Sequence, residues 1–199
     1  MAITPEPANF AVLITQGNEA RRGHRFTEAK TFFSEAVEQA RAASNSLQLA
    51  TALTRLGDIE RDLHHAETAL GLYQQAVELL RAQPANIADP LSLAHTVRHV
   101  ADIALNLHQL DLAGPSYEEA LSIYRSHPQT GSLDLANTLR GYALFKTAIG
   151  ETQTAISFWQ EAGTLYNQVW QEPGSPFSES DLAPGIHEST RQIALLSTR

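Results

Sequence analysis

The stretch Ala66-Glu-Thr-Ala69-Leu-Gly-Leu-Tyr73-Gln-Gln-Ala76-Val-Glu-Leu-Leu80-Arg81 decides the fold. Ala69, Leu72, Tyr73, Ala76, Val77 and Leu80 fall on one face at helical spacing. The same phrase is written three more times. Ala29, Phe33 and Ala36 precede it, and Ala113, Tyr117, Ala120 and Ala155, Trp159, Ala162 follow, at steps of 40, 44 and 42 residues. Twelve positions before each first alanine stands a tiny residue: Gly17, Gly57, Ala101 and Ala143. A period this long in a helix-rich chain predicts an all-α solenoid of helical hairpins, in which each hairpin must stack to bury its stripe.

Working outward, Leu47, Leu49, Ala50, Leu53, Leu56 and Gly57 form the apolar face of a preceding helix, A, with Ser46 placed to cap it. The phrase above is helix B. It is followed by Gln83-Pro84, where a helix stops. Gly57, Ala69 and Ala76 let the two axes approach within the usual ~8–10 Å, and Tyr73 is expected to fill the space between neighbouring hairpins. In the third copy Asp89 caps and Pro90 takes the first helical position. There Asp111 caps helix B, with Pro115 in its first turn, where a missing amide costs little. The fourth copy opens at Ser132 and turns at Gly150. The predicted hairpins span 8–43, 46–82, 89–126 and 132–170. A loop covers 172–179. A lone helix over 180–199 echoes the start of helix A and is expected to cap the apolar end of the array.

Composition narrows the function. The chain has 199 residues, is 43% hydrophobic, carries a net charge of -8 with a pI near 5.4, and has no cysteine. Nucleic acid binding needs a basic footprint, so it is not expected. The lack of cysteine excludes disulfides and thiolate chemistry and suits a reducing compartment. Met1 to Phe10 has no basic residue and Ala11-Val12-Leu13-Ile14 is a short apolar run, so no secretory signal is expected. No stretch approaches a membrane span, and the expected location is cytoplasmic. Twelve arginines against two lysines point to a GC-rich, bacterial genome.

With small residue, alanine, aromatic and alanine at set positions in all four copies, the sequence resembles the tetratricopeptide repeat family. Leu13, Leu53, Val97 and Leu139 match that family's large residue on helix A. The family's usual repeat is 34 residues. The longer period here resembles the variety seen in kinesin light chains and in bacterial regulators. The first copy departs from the pattern at Gln16, where the others carry Leu56, Val100 and Tyr142. The resemblance implies a right-handed superhelix, A helices lining a concave groove, and a non-catalytic adaptor or scaffold that binds a protein or peptide. A peptide-sensing regulatory module is the alternative, and a homodimer through an open solenoid end is a further expectation.

The resemblance also implies which residues line the groove: Asn18, Arg21 and Arg22; Thr51, Thr54, Arg55, Asp58 and Arg61; His95, Arg98 and Asp102; Asn137, Arg140 and Leu144. Asn18 and Arg55 fit parts of the two-carboxylate clamp of the family's chaperone-binding members, but Ile14 and His95 stand where that clamp has lysines. Many acids fall on B helices, among them Glu28, Glu35, Glu67, Glu78, Glu118 and Glu161. An arginine-lined inner face is therefore expected to favour acidic segments or a free C-terminal carboxylate. Arg98 with Asp102, and Asp58 with Arg61, are spaced to pair within one helix. Arg140 has no acid three or four residues away and is the strongest arginine candidate. His95, His99 and Asp102 share a face at a spacing that can hold a metal. No catalytic glutamate adjoins them, so a metal-dependent enzyme is only a minor alternative, and no cofactor, metal site or catalytic residue is expected. His24, His64 and His108 recur in one turn and are expected to complement the helix dipole. Trp170 and Phe177 are expected to cover the last hairpin.

Overall fold

The computed structural model describes residues 9–84, 87, 89–127, 131–172, 174–175 and 177–198. Expectations for residues 1–8, and for the remaining positions within 82–88, 126–131 and 172–179, lie outside the described residues. Among the described residues there are nine α-helices and no strand. The chain divides into two compact units, Met1–Asp89 and Pro90–Arg199.

The first unit holds α1 (Phe10–Arg22), α2 (Phe26–Ala42), α3 (Ser46–Asp62) and α4 (Ala66–Arg81). They pair as hairpins α1–α2 and α3–α4, with α2 packed on α3. The second unit holds α5 (Pro90–Asn106), α6 (Leu110–Ser126), α7 (Ser132–Ala148), α8 (Thr152–Gln171) and α9 (Glu179–Ser197). Here α5 pairs with α6 and α7 with α8, α7 packs on α5 and α6, and α9 lies on α8.

The helix ends explain the boundaries. Asn9 caps α1 by accepting from the Ala11 amide at 2.9 Å. Asn45, not Ser46, caps α3: its backbone is extended and its side-chain oxygen accepts from the Gln48 amide at 3.1 Å, leaving Ser46 as the first helical residue. Asp111 likewise lies inside the first turn of α6, which starts after Gln109 with no side-chain cap. Pro115 is therefore within the helix, beyond the first turn, where its ring takes away one backbone hydrogen bond.

Every turn from an A to a B helix passes through one left-handed residue: His24 (φ 55°), His64 (φ 64°), His108 (φ 57°) and Gly150 (φ 82°). The chain then bonds back onto the ending helix, as when the His65 amide reaches the Glu60 carbonyl at 2.8 Å. The recurrent histidine thus marks a backbone conformation that few residues besides glycine adopt.

All eight alanines of the repeated phrase are fully buried, and the four aromatics are at most 1% exposed. Phe33 occupies the space a side chain at Gly17 would need: an added Cβ would lie 2.4 Å from its ring. Tyr73 seats against Gly57 in the same way and turns its hydroxyl back to Asp58 of its own hairpin. In the second unit the close approach has moved to Gly141, against Tyr117 of the preceding hairpin. Helix α9 starts with a capping box between Ser178 and Asp181. It contributes Leu182 to one core cluster, and Leu196 with Ile193 to another around Trp159, Ala143 and Ala155.

Candidate functional site

On the A-helix side of the first unit, Asp58 is the centre. Its side chain is 3% exposed. It accepts from the Tyr73 hydroxyl at 2.8 Å and from Arg21 at 3.0 Å, with Arg55 at 3.5 Å and Arg61 at 3.6 Å. Arg21 and Arg61 also reach Asp62, at 2.7 and 3.3 Å. A buried carboxylate survives only when paired, and this one draws guanidinium groups from both α1 and α3. Burial and the Asp58 charge together push the Tyr73 hydroxyl well above its ordinary pKa. Burial opposes the charge on Arg61, but Tyr73, Asp58 and Asp62 outweigh it and hold the guanidinium pKa up. Arg22 is exposed, and its Nε lies 3.4 Å from the carbonyl of half-buried Asn18. Behind this face, Glu60 is buried between Lys30 and His65, each at 2.7 Å. Burial works to raise its pKa, but hydrogen bonds from those two residues win and lower it.

The second unit repeats the device. The Tyr117 hydroxyl donates to Asp102 at 2.7 Å, and Arg98 Nη1 donates to the other Asp102 oxygen at 2.8 Å. Arg98 Nη2 lies 3.2 Å from His99 Nε2, which is itself 3.1 Å from His95 Nε2. On α7 the Asn137 side-chain oxygen accepts from Tyr166 at 2.7 Å. Arg140 has the distant partner that local spacing could not reveal: its Nε donates to Glu188 of α9, at 2.5 Å.

Of the residues expected to line a groove, Arg55 and Arg61 meet at Asp58, while Asn18 and Arg22 touch each other; in the second unit Arg98 joins Asp102 and His99, with His95 next to it, and Asn137 and Arg140 line one cleft. The expected arginine-lined face is instead a face of arginine–acid pairs, because Asp58, Asp62 and Asp102 lie on the same helices as the arginines. A signal for this was present in the sequence. Where the repeated aromatic carries a hydroxyl, Tyr73 or Tyr117, the residue fifteen positions earlier is Asp58 or Asp102. Where it does not, Phe33 or Trp159, that residue is Asn18 or Leu144. Two of the four copies thus differ together for a packing reason.

The histidine constellation does not converge as a metal centre would. A cationic guanidinium stands beside the His99 nitrogen that would have to ligate, and both Asp102 oxygens accept hydrogen bonds. Among the described residues no group of three or more His, Asp or Glu is placed to hold a metal.

Two clefts open beside these faces. One, of about 600 Å³ in the first unit, is lined by Arg21, Arg22, His24, Phe26, Arg61 and His64, among others. The other, of about 420 Å³ in the second, lies among α7, α8 and α9 and includes Arg140, Asn137, Tyr166 and Glu188. Phe177 borders it and is 38% exposed, and Trp170 is 42% exposed. Both rings are thus part-exposed, and Phe177 shares its cleft with Leu133 and Tyr166 of the last hairpin. No described helix is long and apolar enough to cross a membrane.

Residues 11–82 match the family model of the tetratricopeptide repeat. No curated protein matches the sequence significantly. Solved structures share the fold at low identity. BtubC (BKLC) from P. vanneervenii superposes with a TM-score of 0.72 at 14% identity, covering 94% of this chain and 74% of its own. A putative kinesin light chain of nearly identical repeats from Podosopora anserina gives 0.63 at 14%, covering 98% and 97%. Aspartyl phosphate phosphatase F from Bacillus subtilis gives 0.68 at 16%, covering 94% of this chain and 45% of its own.

Proposed function

We propose that this chain, whose residues 11–82 match the tetratricopeptide-repeat model, works throughout as such a repeat protein: a non-catalytic adaptor that holds a protein or peptide segment on the exposed sides of its A helices. The observation that carries this reading is the division of labour within each repeat. The residues that recur are spent on packing, with all eight phrase alanines fully buried. The positions that vary, such as Asn18, Arg55, His95, Asn137 and Arg140, are half-buried and polar. Such a surface is rigid in its backbone and variable in its chemistry, which suits selective binding.

The preferred segment carries acidic side chains or a free C-terminal carboxylate. Arg55 and Arg140 have side chains 36% and 40% exposed, and each is held in place by one acid. Orienting a guanidinium through one edge leaves its other donors set for a second carboxylate. The test is binding of a peptide array in matched acidic, amidated and neutral forms. Charge reversal at Arg55 and Arg140 should weaken capture of the acidic members by about tenfold or more. Capture that ignores peptide charge and both substitutions would overturn the carboxylate preference.

A further inference from the structure

Beyond peptide binding, we infer that the cleft among α7, α8 and α9 takes a free α-amino acid with a bulky apolar side chain, bound as its zwitterion. Its volume of about 420 Å³ lies within the ~300–1,000 Å³ typical of small-molecule sites. Three features select the ligand.

The first is the pair Arg140–Glu188. Only Arg140 Nε and Glu188 Oε2 are engaged with each other. Among the described residues, the terminal nitrogens of Arg140 and the Oε1 of Glu188 have no further hydrogen bond. Donor and acceptor therefore stand side by side. An α-amino acid carries its carboxylate and ammonium on one carbon, so its two charges have the same close spacing, and the four groups can close a ring of charge-assisted hydrogen bonds. The second is Asn137. Its oxygen is taken by the Tyr166 hydroxyl at 2.7 Å, which leaves its amide nitrogen as a donor beside Arg140. The third is the balance of the remaining wall. Asp181 adds a second carboxylate to the cleft, so its net charge is against a simple anion and in favour of a ligand that also brings an ammonium group. Leu133 and the exposed ring of Phe177 supply the apolar side.

This inference stands whether or not the A-helix faces hold a peptide. Calorimetric titration of the full chain with L-phenylalanine tests it, alongside 3-phenylpropionate, which lacks the ammonium, and 2-phenylethylamine, which lacks the carboxylate. L-Phenylalanine should bind saturably. Each half-charged analogue, and each of the variants Arg140→Gln and Glu188→Gln, should bind about tenfold or more weakly. Those two variants also break an α7–α9 contact, so Phe177→Ala, which removes an exposed ring, is the third: its binding should drop several-fold with the melting temperature unchanged. Absence of saturable heat with both L-phenylalanine and L-leucine would sink the idea. So would equal binding of 3-phenylpropionate, or full affinity in Phe177→Ala and Arg140→Gln. Arg140 serves both readings, so Phe177→Ala and Arg55→Glu separate them: the first should weaken L-phenylalanine binding and leave peptide capture intact, and the second should do the reverse.

Discussion

A single residue type separates the copies most clearly. Where the B-helix aromatic is tyrosine, its hydroxyl must find a partner inside the hairpin, and an aspartate fifteen positions earlier supplies it, at 2.8 Å for Tyr73 and 2.7 Å for Tyr117. The aspartate charge must then be matched: buried Asp58 draws in Arg21 and Arg61, and half-buried Asp102 draws in Arg98. Phe33 and Trp159 start no such chain. Tyr73→Phe and Asp58→Asn should each lower unfolding free energy, by about 1–3 kcal/mol. In the double variant the losses should fall short of their sum by about 1 kcal/mol or more. Strictly additive losses in urea titrations would mean that the two groups do not act as a unit. Of the residues expected to line the groove, Asp58 and Asp102 are thus explained first by the fold. Arg140 shows the opposite limit of sequence reading: its partner Glu188 lies 48 residues away, and no local spacing rule reaches so far.

At the level of elements, the A-helix starts, the A-to-B turns and the closing helix carry the repeat. The positive φ at His24, His64, His108 and Gly150 shows that the recurrent histidine answers a backbone demand, with its position after the last helical turn also favouring the dipole. The cap at Asn45 displaced the one expected at Ser46 because the residue that can stay extended while reaching the third amide is the one before the helix. Helix α9 has the clearest consequence. It buries Leu182 and Leu196 to 2% and 5% exposure and lies over α8. A chain ending at residue 171 would uncover the apolar face beside Trp159 and Tyr166. It should lose about 2–5 kcal/mol, comparable with emptying one or two large core positions, and associate as its concentration rises in light scattering. A truncated chain that remains monomeric and as stable as the full one would contradict the capping role.

At the scale of the whole molecule, the chain divides between Asp89 and Pro90. The second unit has a core built from α5 to α9 with a terminal capping helix, whereas the first consists of two hairpins, fewer than the roughly three repeats such arrays need. Expressed alone, residues 90–199 should melt cooperatively, and residues 1–89 should melt at a lower temperature or without a sharp transition. Circular dichroism of the two fragments decides the matter, and the reverse order of stability would refute it. The tetratricopeptide-repeat match covers residues 11–82, so the family model by itself recognises the hairpins of the first unit, while the second repeats their phrase.

The sequence by itself determined the hairpin unit, its four copies, the helix types and the closing half-repeat. These follow from spacing along the chain: a stripe at helical period has one stable use, and small residues at a fixed offset have one packing role. It also held, unread, the pairing of tyrosine with an aspartate fifteen residues earlier. Only the tertiary structure decided what the arginines do. Arg21 meets Asp58 and Asp62 across two helices, Arg140 meets Glu188 from the last helix, and Arg98 is held beside His99. Charge pairing depends on distance in space and on the loss of water around each group, and neither quantity is encoded in residue spacing.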